Sequence, residues 1–434
     1  MNVRTTFRAE PFLLLAVAVF FLGYGPHRSQ STPLLLGFAV AFASYLWSVY
    51  KPSFSWGQLL IIAVIFRALL FLAPITWTDD HYRYIWDGLC SVHGISPFAF
   101  TPDELVTAMP DIFTPALYAK LNSPHFYSVY PPLAQAEFAL AAWAGQGNVW
   151  TSTLVLRGIS IAFDMATITV LGLLMKNDPD RVRKVGLYAL NPLVLMEFTV
   201  NVHTEVLMIA PCLWAIHLFR RERMNASAVF IAIGAAAKLW PLLFLAWLPS
   251  RTGWRRTIRY STLVVLLFVL SWIPFYTPGF FAHFGSSLKL YVSWLEFNGA
   301  LFEALRLSLG DALVKGTGLL SAITLIGLGV YAILLWKRKR ADWPEAMLWL
   351  LSIYLFGAQA VQPWYILPLL AFATLTGWRW PVLWTLLIVP TYLTYGTIPF
   401  VQPYWWLPVE YGALIIFIIW EMRQHRHEGH ALTA

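Results

Sequence analysis

Charged side chains are scarce in this sequence of 434 residues. Lysine, arginine, aspartate and glutamate together fill 12% of the positions, whereas hydrophobic residues fill 59%. A soluble domain carries roughly 25% charged residues, so the composition excludes a soluble enzyme and predicts a multi-pass membrane protein. The net charge of +8 comes from basic clusters between apolar runs and not from a basic soluble domain, which excludes a nucleic-acid-binding protein.

Cysteine is also scarce, and the sequence has no obvious internal repeat or soluble linker. The two cysteines, Cys90 and Cys212, lie in unlike surroundings, one in a polar interval and the other in an apolar run. We therefore expect neither a disulfide nor a cysteine metal site. The expected fold is an all-α membrane helix bundle with no required cofactor. A divalent metal is compatible with the sequence but is not indicated by it.

Long apolar runs predict about 12–14 transmembrane or half-spanning helices, because about 20 apolar residues cross a bilayer. We divide the chain into an N-terminal helical hairpin at 1–56, a transmembrane catalytic domain at 57–420 and a cytoplasmic tail at 421–434. The predicted spans are the runs 11–25, 33–50, 57–75, 154–175, 185–199, 203–219, 226–249, 260–276, 316–336, 343–359, 362–376, 380–396 and 404–420.

Basic clusters orient these helices, since lysine and arginine are enriched in cytoplasmic loops. If Arg4 and Arg8 are cytoplasmic, three crossings place the polar interval 76–132 outside the membrane. The basic segment 176–184 then falls inside, provided that 131–145 forms a half-helix that does not cross. The topology therefore predicts a large first extracytoplasmic loop.

An acidic segment at 79–88, with the sequence DDHYRYIWDG, opens this loop. Asp79 and Asp80 stand where a membrane helix should end, and a negative charge is favourable at the start of the helix that follows. The segment is either part of a catalytic site or a solvated, capped loop helix. On a helix, residues three, four and seven apart share one face, which here would carry Asp80, Arg83, Tyr84 and Asp87.

Two interrupted apolar runs bring further polar residues to the same outer face. His203 and Glu205 lie between two short apolar runs. Lys238 lies midway along the run 226–249, and the basic clusters at both ends of this run indicate that it forms a hairpin. We expect the histidine and glutamate to bind a sugar or steady a base, and the lysine to bind a lipid phosphate. The alternatives are ordinary loop side chains and a lysine that extends to the membrane surface.

Outer turns that combine aromatic and amide side chains complete this pattern. Such turns suit sugar rings, whose faces are apolar and whose rims carry hydroxyls, or they form an interfacial aromatic belt. Tyr130, followed by two prolines, forms either a rigid rim of the site or the start of a helix. The residues of these turns that we expect to bind substrate are Asn298, Gln362, Trp364 and Tyr365.

Three charged residues, Arg67, Arg157 and Asp164, lie inside apolar runs. Asp164 follows Arg157 by seven residues, so the two side chains face the same way along one helix. Charges buried in a membrane are costly unless they are paired, so we expect structural pairing for all three, and the alternative is a role in binding substrate.

The outer polar groups suit glycosyl transfer from a lipid-linked phosphosugar. A carboxylate can take the proton of the acceptor hydroxyl, and a cation can stabilise the departing lipid phosphate. A transporter or flippase of a lipid-linked or small polar substrate is the alternative, and a structural scaffold is a third reading. The lack of an internal repeat and the crowding of polar groups at one face argue against transport.

An ordered set of motifs over about residues 57–376 resembles the GT-C-fold glycosyltransferases. The chain is most similar to the bacterial polyprenol-phosphate-mannose-dependent mannosyltransferases, and more distantly similar to the first mannosyltransferase of GPI-anchor synthesis. The motifs that carry the resemblance are the acidic segment 79–88, GISPF at 94–98, YPPL at 130–133, NPL at 191–193 with His203, Lys238 before Pro241, FNG at 297–299 and PWY at 363–365.

The resemblance implies an inverting transferase with a catalytic aspartate in the first large outer loop, either Asp79 or Asp80. It also implies a dolichyl- or polyprenyl-phosphate sugar donor, a lipid or glycan acceptor, and a bacterial plasma membrane with the site on its extracytoplasmic face. The chain departs from the family pattern at His203-Thr204-Glu205, where relatives often have histidine followed by an Asn/Asp pair. The adjacent aspartates do not form the spaced Asp-x-Asp pattern that would demand a metal.

Overall fold

The computed structural model of the protein describes residues 8–51, 54–293, 295–316, 318–338 and 342–431. These ranges leave out Arg4 and other residues of the predicted N-terminal hairpin. They also leave out the last three residues of the predicted tail. Within the described ranges the chain is helical with no β-strand, and only isolated bridges join Phe297 and Asn298 to Ala360. The all-α membrane fold predicted from the sequence is confirmed.

Helices follow one another along the chain with short connections. In the first half they are Glu10–Tyr24, Ser31–Tyr50, Trp56–Leu70, Asp80–Val92, Pro102–Ala108, Pro115–Tyr118, Pro132–Gly145, Val149–Leu174, Arg181–Ala189, Pro192–Val194, the π-helix Leu195–Val200 and Val206–Arg220. In the second half they are Met224–Ala237, Trp240–Trp247, Pro249–Thr252, Trp254–Ser271, Ile273–Phe275, Phe280–Ser293, Ala300–Leu309, Asp311–Gly316, Leu319–Arg338, Trp343–Phe356, Pro363–Ile366, Leu367–Thr376, Trp380–Leu387, Val389–Gly396 and Leu407–Ala431.

Some of these helices are long and apolar enough to cross a bilayer by themselves. In the described part of the chain they are Ser31–Tyr50, Val149–Leu174, Trp254–Phe275 and Leu319–Lys337. A further group of apolar helices has only 10–17 residues. A 15-residue helix is about 22 Å long, shorter than the ~30 Å hydrocarbon core, so such helices need a neighbouring segment to complete a crossing.

Two predicted spans are broken in their middle by non-α backbone. In the run 226–249 the α-helix ends at Ala237, Lys238 is extended with φ −153° and ψ 143°, and a 3₁₀-helix follows. In the run 185–199 the α-helix ends before Pro192, and the π-helix Leu195–Val200 follows. Proline cannot donate the backbone hydrogen bond that would continue the preceding helix, which accounts for the second interruption. Both breaks place polar side chains at the candidate site.

The helix that begins with the acidic pair packs tightly on the helix Pro132–Gly145. A Cβ atom on Gly88 would lie 2.1 Å from the carbonyl oxygen of Phe138, so only glycine permits this approach. Tyr84 stacks on the Phe138 ring, with centroids 4.5 Å apart and planes 5° from parallel. This contact fixes the direction in which the first turn of Asp80–Val92 points.

The three buried charges for which the sequence predicted a structural role have protein partners, although the pairing differs in detail. Asp164 pairs with Arg67 of another helix at 2.6 Å and accepts the hydroxyl of Tyr188 at 2.9 Å. Arg157 instead donates to the backbone oxygens of Thr199 and Val200 at 2.8 Å and 2.9 Å. Residues seven apart are separated by about 10 Å along a helix, so their shared face does not bring the two side chains together.

Candidate active site

The acidic pair lies at the start of the helix Asp80–Val92, and its two carboxylates have different partners. Asp79 forms an ion pair with Arg28, which comes from the connection between the first two helices. Asp80 accepts a hydrogen bond from Asn122 Nδ2 at 2.7 Å, and its Oδ2 lies 3.7 Å from His203 Nε2. The Asp80 side chain is 22% exposed, so an acceptor hydroxyl can reach it.

His203 lies in the connection 201–205, outside the flanking helices, and its ring is held on three sides. Its Nδ1 atom lies 2.8 Å from Glu197 Oε2, and its Nε2 atom faces Asp80. The indole of Trp364 stacks on the ring, with centroids 3.6 Å apart and planes 10° from parallel. The ring is fully buried, so solvent does not contact it.

Glu197 belongs to the π-helix Leu195–Val200 and is fully buried. Its carboxylate accepts hydrogen bonds from Tyr392 and, at 3.1 Å, from Asn201 Nδ2. A π-helical turn places a side chain differently from an α-helix and is frequent at functional sites. Here it turns a carboxylate inward, toward His203.

The charges of this cluster are mutually dependent. Burial alone would lower the pKa of His203, but its contacts with Asp80 and Glu197 raise that pKa to about 9. Burial alone would raise the pKa of Asp80, but contacts with His203, Asn122 and the Arg28 charge hold it below its ordinary value. At neutral pH the arrangement is therefore an imidazolium ion between two carboxylates, and Asp80 is ionised.

Lys238 extends from its broken helix to a second carboxylate, Glu205. Lys238 Nζ lies 2.6 Å from Glu205 Oε1 and stands over the rings of Tyr365 and Trp240, at 4.6 Å and 5.1 Å from their centroids. Glu205 is buried, whereas the lysine side chain is 22% exposed. The cation thus keeps an accessible side, and its ammonium has three donors, of which Glu205 uses one.

A continuous chain of contacts joins the acidic end of the site to the basic end. Trp364, which stacks on His203, has its ring centroid 5.9 Å from that of Tyr365. The contact chain therefore runs through Asp80, His203, Trp364, Tyr365, Lys238 and Glu205. These residues come from sequence segments up to 285 positions apart, and all six are among the site residues predicted from the sequence.

Arg83 and Asp87, also expected at the site, bind each other and the outer loop. Arg83 Nε donates to Asp87 Oδ1 at 2.8 Å, and the guanidinium also donates to the backbone oxygens of Ser123 and Phe126. Asp87 further accepts the hydroxyl of Ser128 at 2.5 Å. Both side chains are buried, so in this structure they fix the loop beside the first turn of the helix.

The other predicted residues lie around the contact chain. Tyr84 is buried and meets Tyr130 edge-on at 5.2 Å. Asn298 has a positive φ of 55°, and its Nδ2 atom donates to Glu410 at 3.0 Å, so its side chain anchors an outer turn. Gln362 precedes Trp364 and is mostly buried, and its Oε1 atom has no hydrogen-bond partner among the described residues.

Four further residues of the candidate site were not predicted from the sequence, namely Glu197, Arg28, Asn122 and Tyr392. A signal for Glu197 was present, because an acidic residue inside an apolar run is costly unless it has a specific partner. Arg28 and Asn122 lie in loops whose polar residues are not otherwise unusual. In the described part of the chain, no group of three or more His, Cys, Asp or Glu residues has the arrangement of a metal site.

Comparison with known proteins assigns the sequence to a family. Residues 8–251 match the family model described as the N-terminal domain of alpha-(1->6)-mannopyranosyltransferases. The chain belongs to this family. The matched region contains both aspartates of the acidic pair, Glu197, His203 and Lys238, whereas Trp364 and Tyr365 lie beyond it. The relationship to bacterial mannosyltransferases expected from the motifs is thereby confirmed.

Two curated relatives extend the match over most of the chain. Alpha-(1->6)-mannopyranosyltransferase A of Mycobacterium tuberculosis is 27% identical over 335 residues, which cover 70% of this chain and 62% of the relative. A protein of Mycolicibacterium smegmatis named "probable alpha-(1->6)-mannopyranosyltransferase" is 25% identical over 416 residues, or 79% of this chain and 70% of the relative. The chain thus spans less than two thirds of the first of these relatives. No solved structure matches the chain.

Proposed function

We propose that the protein is a mannosyltransferase of the GT-C type that uses a polyprenyl-phosphate donor and acts on the extracytoplasmic face of a bacterial plasma membrane. The contact chain from Asp80 to Lys238 supports this proposal most directly, because it joins a partly exposed carboxylate to a partly exposed ammonium group. The names of the two relatives support mannose as the sugar and a 1→6 linkage. The acceptor is a hydroxyl of a lipid or glycan.

Asp80 is the general base of the proposed reaction. It takes the proton of the acceptor hydroxyl while that oxygen attacks the anomeric carbon of the donor. The new bond joins the anomeric carbon to the acceptor oxygen, and the bond from that carbon to the phosphate oxygen breaks with its electron pair. Attack from the face opposite the phosphate inverts the configuration. Asp79 is less suited to this role, because Arg28 already pairs with it.

His203 and Glu197 keep Asp80 ready for this step. The imidazolium ion favours the ionised carboxylate of Asp80 in the resting site. Glu197 holds the other ring nitrogen at 2.8 Å and thereby fixes the orientation of the ring, as the acidic member of a catalytic triad does. Neither residue needs to contact the sugar for this purpose, so both are positioning residues.

Lys238 stabilises the departing polyprenyl phosphate. Negative charge grows on the phosphate as its bond to the sugar breaks, and an ammonium group nearby lowers the energy of that transition state. Glu205 and the rings of Tyr365 and Trp240 hold the lysine, which limits the reorganisation needed during the reaction. The aromatic residues between the two charged ends provide apolar faces against which a sugar ring packs.

Reconstitution in proteoliposomes tests this function. The purified protein is supplied with radiolabelled polyprenyl-phosphate mannose in the membrane and with a mannoside acceptor, and both glycosidic product and donor movement between leaflets are measured. We expect labelled product whose formation requires the acceptor. Movement of the donor without product would instead establish the flippase alternative, and neither product nor movement with any mannoside would contradict the proposed donor.

A further inference from the structure

A separate cavity of about 600 Å³ lies at the other end of the helices that carry the candidate site. The segment 363–376 has Trp364 at its beginning and lines the cavity with Ala373 and Thr374 near its end. Its length of 14 residues corresponds to about 20 Å of helix. The segment 181–200 runs in the opposite sense, with Arg183 at the cavity and Glu197 at the site.

The cavity opens among residues that the topology assigns to the cytoplasmic side. Arg183 and Lys184 belong to the basic segment 176–184, and His425 belongs to the C-terminal tail. Because the proposed active site is extracytoplasmic, the two sites face opposite leaflets of the membrane.

The lining of the cavity combines charged side chains, three of them lysine or arginine and two of them aspartate or glutamate, with apolar side chains. Leu187, Leu370 and Val382 provide the apolar wall. Aromatic residues typical of the membrane interface stand beside them, and one of these, Trp378, stacks on His425 at 4.4 Å. A basic rim above an apolar wall matches a molecule with a charged head and hydrocarbon chains.

The charges of the lining favour an anion. Arg379 is exposed at the rim and forms no ion pair among the described residues. Arg183 pairs with Asp180 at 2.6 Å, but both side chains are about half exposed, so this pair is weak. Glu421 is occupied by the backbone N–H groups of Arg379 and Trp380, each at 2.9 Å. A phosphate at the rim therefore meets Arg379 and the exposed face of Arg183.

We propose that this cavity binds the phosphate headgroup of an anionic phospholipid from the cytoplasmic leaflet. Basic pockets between membrane helices on this side suit such headgroups. Free phosphate shares the charge but has no chains to contact the wall formed by Leu187, Leu370 and Val382, so a diacyl lipid is the occupant that fits the whole lining.

Native mass spectrometry of the purified full chain tests the proposal, with phosphatidylglycerol and phosphatidylcholine as probes. We expect retention of phosphatidylglycerol but not of phosphatidylcholine. Arg379→Ala should weaken phosphatidylglycerol binding about fivefold, the usual effect of one basic residue near a membrane surface. Gln424→Glu, which adds an opposing charge without removing an apolar contact, should also weaken it.

Controls separate this site from general surface charge and from sugar transfer. Arg255→Ala removes an exposed arginine that does not line the cavity, and this variant should bind the lipid normally. Asp80→Asn should also bind it normally, whatever happens to activity. Equal retention of both lipids, or equal losses in the Arg255 and Arg379 variants, would overturn the proposal. Displacement of the lipid by millimolar inorganic phosphate would overturn the lipid proposal and show that the cavity is a site for free anions.

Discussion

The substitution Glu197→Gln tests whether a buried carboxylate sets the charge of His203. Glutamine keeps the size of the side chain and can still accept the hydroxyl of Tyr392, but it removes the negative charge 2.8 Å from His203 Nδ1. The pKa of His203 is about 9 instead of 6.5, which corresponds to roughly 3 kcal/mol of favourable interaction with the imidazolium. The charges of Asp80 and Glu197 supply this interaction and outweigh the cost of burial. Removing the Glu197 charge should therefore lower the pKa of His203 by on the order of one unit or more.

The expected consequence is a displaced pH profile. In the proposed reaction the imidazolium positions the Asp80 carboxylate, so activity should be present below the pKa of His203 and should be lost as the pH rises through it. Wild-type kcat/KM should therefore fall through about pH 9, and that of Glu197→Gln should fall nearer neutral pH, with a maximum about tenfold lower. The ion pairs of His203 likewise contribute stability that is complete below about pH 6.5 and lost as the pH rises through about 9.

Other groups near His203 do not produce the same profile. His81 stays neutral over this range, because burial lowers its pKa to about 3. A shift of the basic limb in Glu197→Gln would therefore assign that limb to His203.

A matched control distinguishes this effect from general damage to the bundle. Glu410 is another fully buried carboxyl side chain, which accepts hydrogen bonds from Asn298 and Trp384 and lies outside the contact chain. Glu410→Gln should lower thermal stability without moving the basic limb. Control of His203 by Glu197 would be ruled out if folded Glu197→Gln kept the wild-type pH profile, or if both variants moved it equally.

Two further substitutions have distinct expected effects. Lys238→Ala should raise KM for the polyprenyl-phosphate donor and lower kcat, because the departing phosphate loses its cation; unchanged steady-state kinetics with varied donor would remove the lysine from the mechanism. Arg67→Ala should lower the free energy of unfolding by roughly 3–5 kcal/mol, because Asp164 then carries an unpaired buried charge. Thermal unfolding in detergent measures this loss, which a double variant Arg67→Met with Asp164→Leu should partly restore; equal stability of wild type and Arg67→Ala would contradict it.

The sequence predicted which polar groups would meet because topology is encoded in local charge. Basic loops determine which ends of the apolar runs face the same way, and this information was enough to place Asp80, His203 and Lys238 together. The breaks at Lys238 and Pro192 were also visible as polar or proline residues within apolar runs. The all-α membrane fold followed from composition alone.

Individual partners were not predictable in the same way. Whether Asp164 pairs with Arg157 or with Arg67 depends on how neighbouring helices are rotated, and periodicity within one helix carries no such information. The inward direction of Glu197 depends on a π-helical turn, which has no distinct sequence pattern. The pairing of Asp79 with Arg28 links segments 51 positions apart through a loop contact.

The most direct test of the account is the rate of mannose transfer by Asp80→Asn and Asp79→Asn in identical proteoliposomes. Asp80 is the base in this account, so its amide variant should lose at least about 100-fold in kcat while remaining folded. Asp79 is paired with Arg28, so its variant should keep most of the wild-type kcat. Full activity in Asp80→Asn, or a loss confined to Asp79→Asn, would contradict the central claim.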